Sequence, residues 1–264
     1  MDNANETNSA SVFRKVALGV LLALTAALAA AFPLILWLTD FTLGDFLDNA
    51  VTILLFLPFF AVFYLFLREF SEKGSSAQFL FKLAAAAMLV ALYIVLNRFV
   101  SIQTPGVKIG FSVVCPMIAA MLWGPGAGAI VYGMGDLLSA VIFPFGVYHP
   151  GFTFTAMLMG FVWGLFTHPK PFRNMLNSSL SENAGKKRFL MILWIIIPAL
   201  FNCLLLGLCV NTLWVAQLYG SKTYWGWFAY RLAEYAVMVP VNVLLAAAIL
   251  PTVSVLRKQI KKRR

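Results

Sequence analysis

The chain has 264 residues, of which 61% are hydrophobic and 11% charged, with a formal net charge of +10 and a mean hydropathy of +0.86. This composition excludes a soluble domain, because a chain of this length cannot hide so much apolar surface in one core, and it predicts lipid as the solvent. The lysines and arginines lie in loops and at the C-terminus, a distribution that is typical of membrane topology and argues against nucleic acid as a partner.

Two apolar runs, Val16–Leu38 and Val51–Leu67, follow a polar tail of residues 1–15. The first run is too long for a signal peptide, and each run approaches the roughly 20 residues that a helix needs to cross a bilayer. Residues 16–67 are therefore predicted to form two transmembrane helices. The charged stretch 68–78, which also carries glycine and serine, is predicted to be a cytoplasmic linker.

Residues 79–256 carry six further apolar runs, which predict a six-helix core before a basic cytoplasmic tail at 257–264. The predicted helices are Phe79–Asn97, Ile109–Trp123, Ala127–Phe143, Phe152–Phe166, Phe189–Leu218 and Tyr224–Leu256. The runs are continuous rather than alternating, so they indicate helices and not barrel strands. The predicted fold is an all-α integral membrane protein of about eight transmembrane helices.

The positive charges predict the orientation of these helices. With the N-terminus inside the cell, sixteen of the twenty lysines and arginines fall in inner segments, and only Arg98, Lys108 and Lys222 fall outside. The positive-inside rule therefore predicts a multi-pass protein of the cell membrane with both termini cytoplasmic. The basic tail is predicted to anchor this topology and to contact membrane lipids.

Arg98 and Lys108 bracket one outer loop and so depart from the charge pattern of the other outer segments. They could extend toward lipid headgroups from two helix ends, or they could bind an anionic ligand. Tyr148 lies in a second outer loop, which is aromatic and held by Pro144 and Pro150. That loop could cap a flat ligand or form part of an interfacial aromatic belt.

Asp136 lies near the middle of its predicted helix, where an isolated carboxylate is unfavourable unless it is solvated or paired. It could accept hydrogen bonds from the amino-heterocycle of a ligand, or it could be a structural partner of Arg231 or of a nearby polar side chain. Arg231 and Glu234 share a helix face and could form an ion pair. Asn202 also interrupts an apolar helix, and it could join helices or line a hydrophilic pocket together with Arg231.

Ala87 and Ala91 form a small-residue pair on the first core helix, which allows close approach of another helix. The approaching helix could belong to this chain or to a second membrane subunit.

No pattern in the sequence predicts an enzyme, a metal site or a bound cofactor. Asp136 and Glu234 are the only acidic residues within the predicted core helices, and neither has metal-like spacing. The three cysteines, Cys115, Cys203 and Cys209, are predicted to pack in the apolar interior. No phosphate-binding GxxxxGK[ST] motif occurs in the sequence.

Three sequence blocks occur in order within the core. They are Asn97–Phe111, then Gly124-Pro125 with Gly135-Asp136-Leu137-Leu138, then Phe143–Thr153. With these blocks the sequence from Leu83 to Phe166 resembles the S components of energy-coupling-factor vitamin importers, and most of all the folate-specific group. The two front helices depart from that family's six-helix unit.

The resemblance implies a substrate-binding subunit, not an enzyme, that works with a transmembrane coupling subunit and two ATPases. It implies that Ala87 and Ala91 face the coupling subunit and that outer loops close over the vitamin. A folate-like ligand would bring two carboxylates to Arg98 and Lys108, while Asp136 and an asparagine would meet its pterin. Another flat anionic vitamin, or a membrane-embedded enzyme acting on lipids, stays open as an alternative.

Overall fold

A computed structural model of the chain describes residues 64–68, 76–104, 107–144, 148–178, 185–219 and 223–262. The predicted front pair of helices lies outside the described residues except for 64–68. The described helices are α1 (Ser76–Phe99), α2 (Val114–Trp123), α3 (Pro125–Ile142), α4 (Pro150–Thr167), α5 (Lys170–Ser178), α6 (Gly185–Leu200), α7 (Asn211–Tyr219) and α8 (Tyr224–Lys262), with a π-helix over Phe201–Val210 between α6 and α7.

Five helical stretches in the described residues are long and apolar enough to cross a membrane. They are Gln78–Phe99, Pro125–Ile142, Pro150–Thr167, Phe189–Ala216 and Tyr224–Ile260. The third of these five ends just before His168, and the fourth combines parts of α6 and α7 with the π-helix that joins them. The chain is therefore a multi-pass membrane protein, as its composition predicts.

The predicted helix Ile109–Trp123 is wrong at its start. Val107–Ile109 is the strand β2, which pairs antiparallel with β1 (Ile102–Thr104), and helix α2 begins only at Val114. Pro105-Gly106 favours a turn, and the β-branched residues on either side of it favour extended backbone. The described residues are thus helical with one short hairpin, and the ten residues of α2 are too few to cross a bilayer.

Helices α3 and α4 form the most extensive helix pair, and glycines make their close approach possible. A Cβ atom on Gly128 would lie 2.5 Å from the carbonyl oxygen of Gly160, and one on Gly160 would lie 2.2 Å from that of Gly128. The two backbones therefore touch at this crossing, as small residues allow between membrane helices. Because α3 and α4 meet here, side chains on either side of the crossing are held in fixed register.

The segment 64–68 packs on the core where α3 begins. Phe66 is buried with Ala86 and Trp123, and its backbone lies against Gly126, where a Cβ atom would come within 2.6 Å of the Phe66 nitrogen. At the other end of α3, the rings of Phe99 and Phe143 meet edge to face at 5.5 Å, beside the hairpin. Residues 64–68 therefore lie at the end of the bundle opposite to the hairpin.

Two helical features differ from the predicted boundaries. The loop after α4 contains α5, an amphipathic helix whose Phe172 and Leu176 are fully buried in the core. Helix α8 continues to Lys262, past the predicted end at Leu256, and α1 begins at Ser76, inside the predicted linker. Charged and polar residues continue a helix readily at a membrane surface. Hydropathy alone therefore places the end of α8 too early and the start of α1 too late.

Candidate functional site

A cavity of about 290 Å³ lies in the half of the bundle that carries the hairpin. Its walls come from α1, α3, α4, the π-helix, α7 and α8, and from the turn at Tyr148 and His149. This volume is close to the lower end of the range for small-molecule pockets, roughly 300 Å³. Polar side chains from five helical segments, α1, α3, the π-helix, α7 and α8, meet in it, although each of these helices is mostly apolar.

Asp136 holds its place in the cavity through a chain of two hydrogen bonds. Thr153 donates from Oγ1 to the Asp136 carboxylate at 2.8 Å, and the Tyr148 hydroxyl lies 3.0 Å from the same Thr153 oxygen. A threonine hydroxyl has one proton, and a carboxylate only accepts, so Tyr148 must be the donor to Thr153. The Tyr148 turn is thereby linked to the carboxylate in α3.

Arg98 lies in the last turn of α1 and lines the same cavity. It is close enough to Asp136 for a favourable electrostatic interaction. The neighbouring Asn97 is fully buried, accepts a hydrogen bond from Ser112 at 3.3 Å, and receives one from Ser101 at its backbone oxygen, at 2.5 Å. These bonds tie the residues on both sides of the hairpin to the end of α1.

Three asparagines that line the cavity have buried acceptor atoms without a hydrogen-bond partner among the described residues. The side-chain nitrogen of Asn202 donates to the Met159 carbonyl oxygen at 3.0 Å, and that of Asn242 donates to the Cys203 sulfur at 3.0 Å. The Oδ1 atoms of Asn202, Asn211 and Asn242 are buried and have no hydrogen-bond partner among the described residues. Buried acceptors normally find donors, so these atoms suit a ligand that carries N–H groups.

A second polar network, centred on Arg231 in α8, packs against the π-helix. Arg231 forms an ion pair with Glu234 at 3.2 Å, and it also donates to Tyr235 at 2.9 Å and to Thr212 at 3.2 Å. Gly207 leaves room for the Tyr235 ring, because a Cβ atom there would lie 2.3 Å from it. Arg231 is therefore held by three groups while it still lines the cavity.

His149 caps the start of α4 at the rim of the cavity. Its Nδ1 accepts a hydrogen bond from the Gly151 N–H at 3.0 Å, and its ring stacks on Trp214 with centroids 5.2 Å apart. Burial lowers the pKa of His149 below 6.5, which favours the neutral ring that this bond requires. The cap therefore fixes the turn that carries Tyr148.

A family model described as the S component of ECF-type riboflavin transporters matches residues 80–251. The folate transporter FolT of Clostridium novyi is 33% identical over 159 residues, which is 60% of this chain and 81% of that protein. The chain belongs to the energy-coupling-factor S components. A folate transporter FolT from Leuconostoc mesenteroides is 34% identical over 86 residues, covering 32% of this chain and 46% of the relative.

The helical fold of this S component is also found in a solved structure. The crystal structure of FolT bound with folic acid superposes with a TM-score of 0.51 at 23% identity, covering 62% of this chain and 88% of that one. The family is one of transporter subunits, so the alternative of a lipid-modifying enzyme is set aside. The predicted resemblance to S components is confirmed.

Five of the six substrate-binding residues predicted for this S component line the one cavity. They are Arg98, Asp136, Tyr148, Asn202 and Arg231. The sixth, Lys108, lies in strand β2 opposite Gln103. Ala87 and Ala91, predicted to dock a partner, lie on the exposed face of α1 and away from the cavity.

Several other residues that line the cavity could not be chosen from the sequence. Tyr93, Tyr132 and Trp163 are aromatic residues in apolar helices, where ordinary core packing is the expected role. The spacing of Tyr93 and Asn97, four residues apart on α1, places them on one face and was a usable signal. Thr153 could not be identified, because its role depends on where α4 lies relative to Asp136.

Proposed function

We propose that this chain is the substrate-binding subunit of an energy-coupling-factor importer and that its cavity binds folate from the extracellular side. The observation that carries the proposal is that Arg98, Asp136 and three asparagines with unpaired acceptor atoms line the same cavity. Folate combines a flat, N–H-bearing pterin with a tail of two carboxylates, so it needs both kinds of group at one site. The names of the two relatives support this choice.

The carboxylate tail is proposed to lie at the end of α1. Arg98 offers a guanidinium there, which can hold a carboxylate with two parallel hydrogen bonds. Lys108 is proposed as the second cation, carried to the rim of the cavity by the hairpin. Arg98 already interacts with Asp136, and a tail with two carboxylates would bring more negative charge to this end of the site than one aspartate supplies.

The pterin is proposed to meet the acceptor groups. Asp136 and the Oδ1 atoms of Asn202, Asn211 and Asn242 can accept hydrogen bonds from its ring and exocyclic N–H groups. Tyr148 and the His149 turn are proposed to close over it. Arg231, which already pairs with Glu234, is proposed to line this part of the pocket and to fix Tyr235.

The ligand is tested by titrating the purified full chain with folate, riboflavin and biotin, using calorimetry. Folate should bind with a submicromolar dissociation constant, and riboflavin, which lacks a carboxylate, should bind far more weakly. Arg98→Gln should weaken folate about tenfold or more, the effect of losing roughly 1.4 kcal/mol of binding free energy. Lys258→Gln, a change at an exposed cation far along α8, is the matched control and should leave folate binding unaltered.

Tight riboflavin binding with no folate binding would overturn the ligand assignment. The family membership would stand in that case, since it rests on the sequence match over residues 80–251.

The transport partners are proposed to be a transmembrane coupling subunit and two ATPases. Ala87 and Ala91 lie one turn apart on the exposed face of α1, and no described residue covers them. Small residues on an exposed helix face permit close helix contact within the membrane. We place the coupling subunit on this face, with the hairpin end outside the cell and both termini in the cytoplasm.

A further inference from the structure

Three side chains from different elements meet at the end of the bundle opposite to the hairpin. His168 follows the last residue of α4, Arg173 lies on α5, and Arg257 lies in the last part of α8. Arg173 contacts His168, with its Nη1 3.5 Å from Nε2 of the ring, and Arg257 is close enough to interact electrostatically with both. We call these three residues the basic cluster.

Two buried donor atoms of the basic cluster, one on His168 and one on Arg257, lack an acceptor among the described residues. Arginine only donates, so His168 must accept at Nε2 from Arg173, and a neutral ring then carries its proton on Nδ1. Burial, with Arg173 and Arg257 nearby, lowers the pKa of His168 to about 4, so the ring is neutral at physiological pH. Its Nδ1 and the Nη1 of Arg257 are buried and have no hydrogen-bond partner in the part of the chain that the structure describes.

The charge of the basic cluster is also uncompensated within the described residues. The acidic residues among them are Asp136 and Glu234, and both line the cavity in the other half of the bundle. Two guanidiniums that repel each other beside a neutral histidine are unfavourable unless an anion joins them. An anion with several acceptor oxygens would accept hydrogen bonds from the buried donors and would also balance the charge of the two guanidiniums.

The position of α5 indicates where that anion comes from. Its apolar residues Phe172 and Leu176 are fully buried against Val253 and the rest of the core, which fixes Arg173 beside the end of a membrane-spanning helix. An amphipathic helix at this depth lies level with lipid headgroups. Basic pockets between membrane helices bind anionic headgroups, and paired guanidiniums match the oxygens of a phosphate.

We propose that the basic cluster of His168, Arg173 and Arg257 is a binding site for the phosphate of an anionic phospholipid headgroup. The site lies apart from the cavity and uses none of its residues. Inorganic phosphate offers the same oxygens, so the two sources must be separated by experiment.

The experiment is native mass spectrometry of the purified full chain with dioleoylphosphatidylglycerol or dioleoylphosphatidylcholine. The wild-type chain should retain the anionic lipid in preference to the zwitterionic one. The double variant R173Q/R257Q should reduce retention of phosphatidylglycerol about tenfold, because it removes both charge-assisted contacts. The matched control is K170Q/K258Q, which removes two exposed cations from the same two helices and should reduce retention less than twofold.

Equal losses in the two double variants would overturn the proposal, because they would indicate diffuse attraction rather than a site. Stabilisation by millimolar inorganic phosphate, without preferential retention of phosphatidylglycerol, would overturn the lipid assignment. Folate binding checks that each variant is folded, since none of the four residues lines the cavity.

If R173Q/R257Q does not fold, R173K/R257K is measured in its place, because lysine keeps the positive charge but lacks the planar guanidinium fork. It should then bind phosphatidylglycerol about threefold more weakly, and undiminished binding would count against the site.

Discussion

Asp136 illustrates how a carboxylate is accommodated inside a membrane helix. It accepts a hydrogen bond from Thr153, which is held in turn by Tyr148, and it lies close to Arg98. These contacts supply the pairing that an intramembrane carboxylate requires. They also leave Asp136 on the cavity wall, so its charge is available to a ligand that brings N–H groups.

The variant Asp136→Asn should weaken folate binding by about tenfold or more while the fold is retained. The amide keeps the shape and can still accept from Thr153, but it loses the charge, and hydrogen bonds to charged groups are worth roughly 1.5–3 kcal/mol. Calorimetry with folate measures the change.

The control for Asp136→Asn is Ser139→Ala. Ser139 is buried on the same helix and donates to the Gly135 carbonyl at 2.6 Å, but it does not line the cavity. It should therefore change folate affinity less than twofold. Equal effects of the two substitutions would mean that Asp136 acts through the packing of α3 and not through the ligand.

At the scale of elements, the crossing of α3 and α4 sets the geometry of the site. Gly128 and Gly160 touch backbone to backbone, and the carbonyl that Asn202 uses belongs to Met159, beside this crossing. Asp136 lies two turns beyond Gly128 along α3, and Thr153 lies two turns before Gly160 along α4. The distance between Asp136 and Thr153 thus depends on how closely the two glycines allow the helices to approach.

Adding one methyl group at this crossing should destabilise the protein. Gly160→Ala would bring a Cβ atom to 2.2 Å from the Gly128 oxygen, a backbone atom that cannot move alone. Overpacking of this kind costs roughly 1–3 kcal/mol, so the thermal unfolding midpoint should fall. The matched substitution Gly185→Ala lies at the start of α6, where a Cβ atom meets nothing within 4 Å, and it should leave the midpoint unchanged or slightly higher. A midpoint that is the same for both variants would contradict the close crossing.

Some elements could be predicted from the sequence, and others could not be predicted for physical reasons. Long apolar runs such as the one in α4 can be assigned as membrane helices from the sequence, because the thickness of a bilayer fixes their length. The hairpin strands Ile102–Thr104 and Val107–Ile109 could not be identified in this way, since strands of three residues are too short to show an alternating pattern and the stretch is predicted as an outer loop. The π-helix over Phe201–Val210 has no signature in composition, because its residues are as apolar as those of an ordinary membrane helix.

The residues of the site divide in the same way. Asp136 and Arg98 could be chosen from the sequence because a charge within or beside a membrane helix needs a reason to be there. Thr153 and Tyr132 could not, because hydroxyl and aromatic residues are common in such helices and become significant only when their neighbours are known.

For the whole molecule, the cavity and the exposed face of α1 lie on different surfaces, so the proposed ligand site and the proposed docking face can be tested by separate mutations. Tyr93 and Asn97 on the inward face of α1 are buried beside the cavity, whereas Ala87 and Ala91 on its other face are exposed. A substitution on the exposed face therefore adds bulk without entering the ligand site.

The double variant A87L/A91L should bind folate like the wild-type chain yet lose most uptake when it is supplied with a coupling subunit and two ATPases. Leucines would hold a partner helix away from the α1 backbone, and contact between membrane helices depends on that close approach. Calorimetry measures binding, and radiolabelled folate accumulation in proteoliposomes measures uptake.

The matched control is A229L/A233L, in which two alanines with the same spacing are exposed on α8, and it should retain both activities. Full uptake by A87L/A91L would assign the coupling subunit to another face of the molecule. Loss of uptake in both variants would instead mean that added bulk on any exposed face blocks transport, and the small-residue pair on α1 would have no special role.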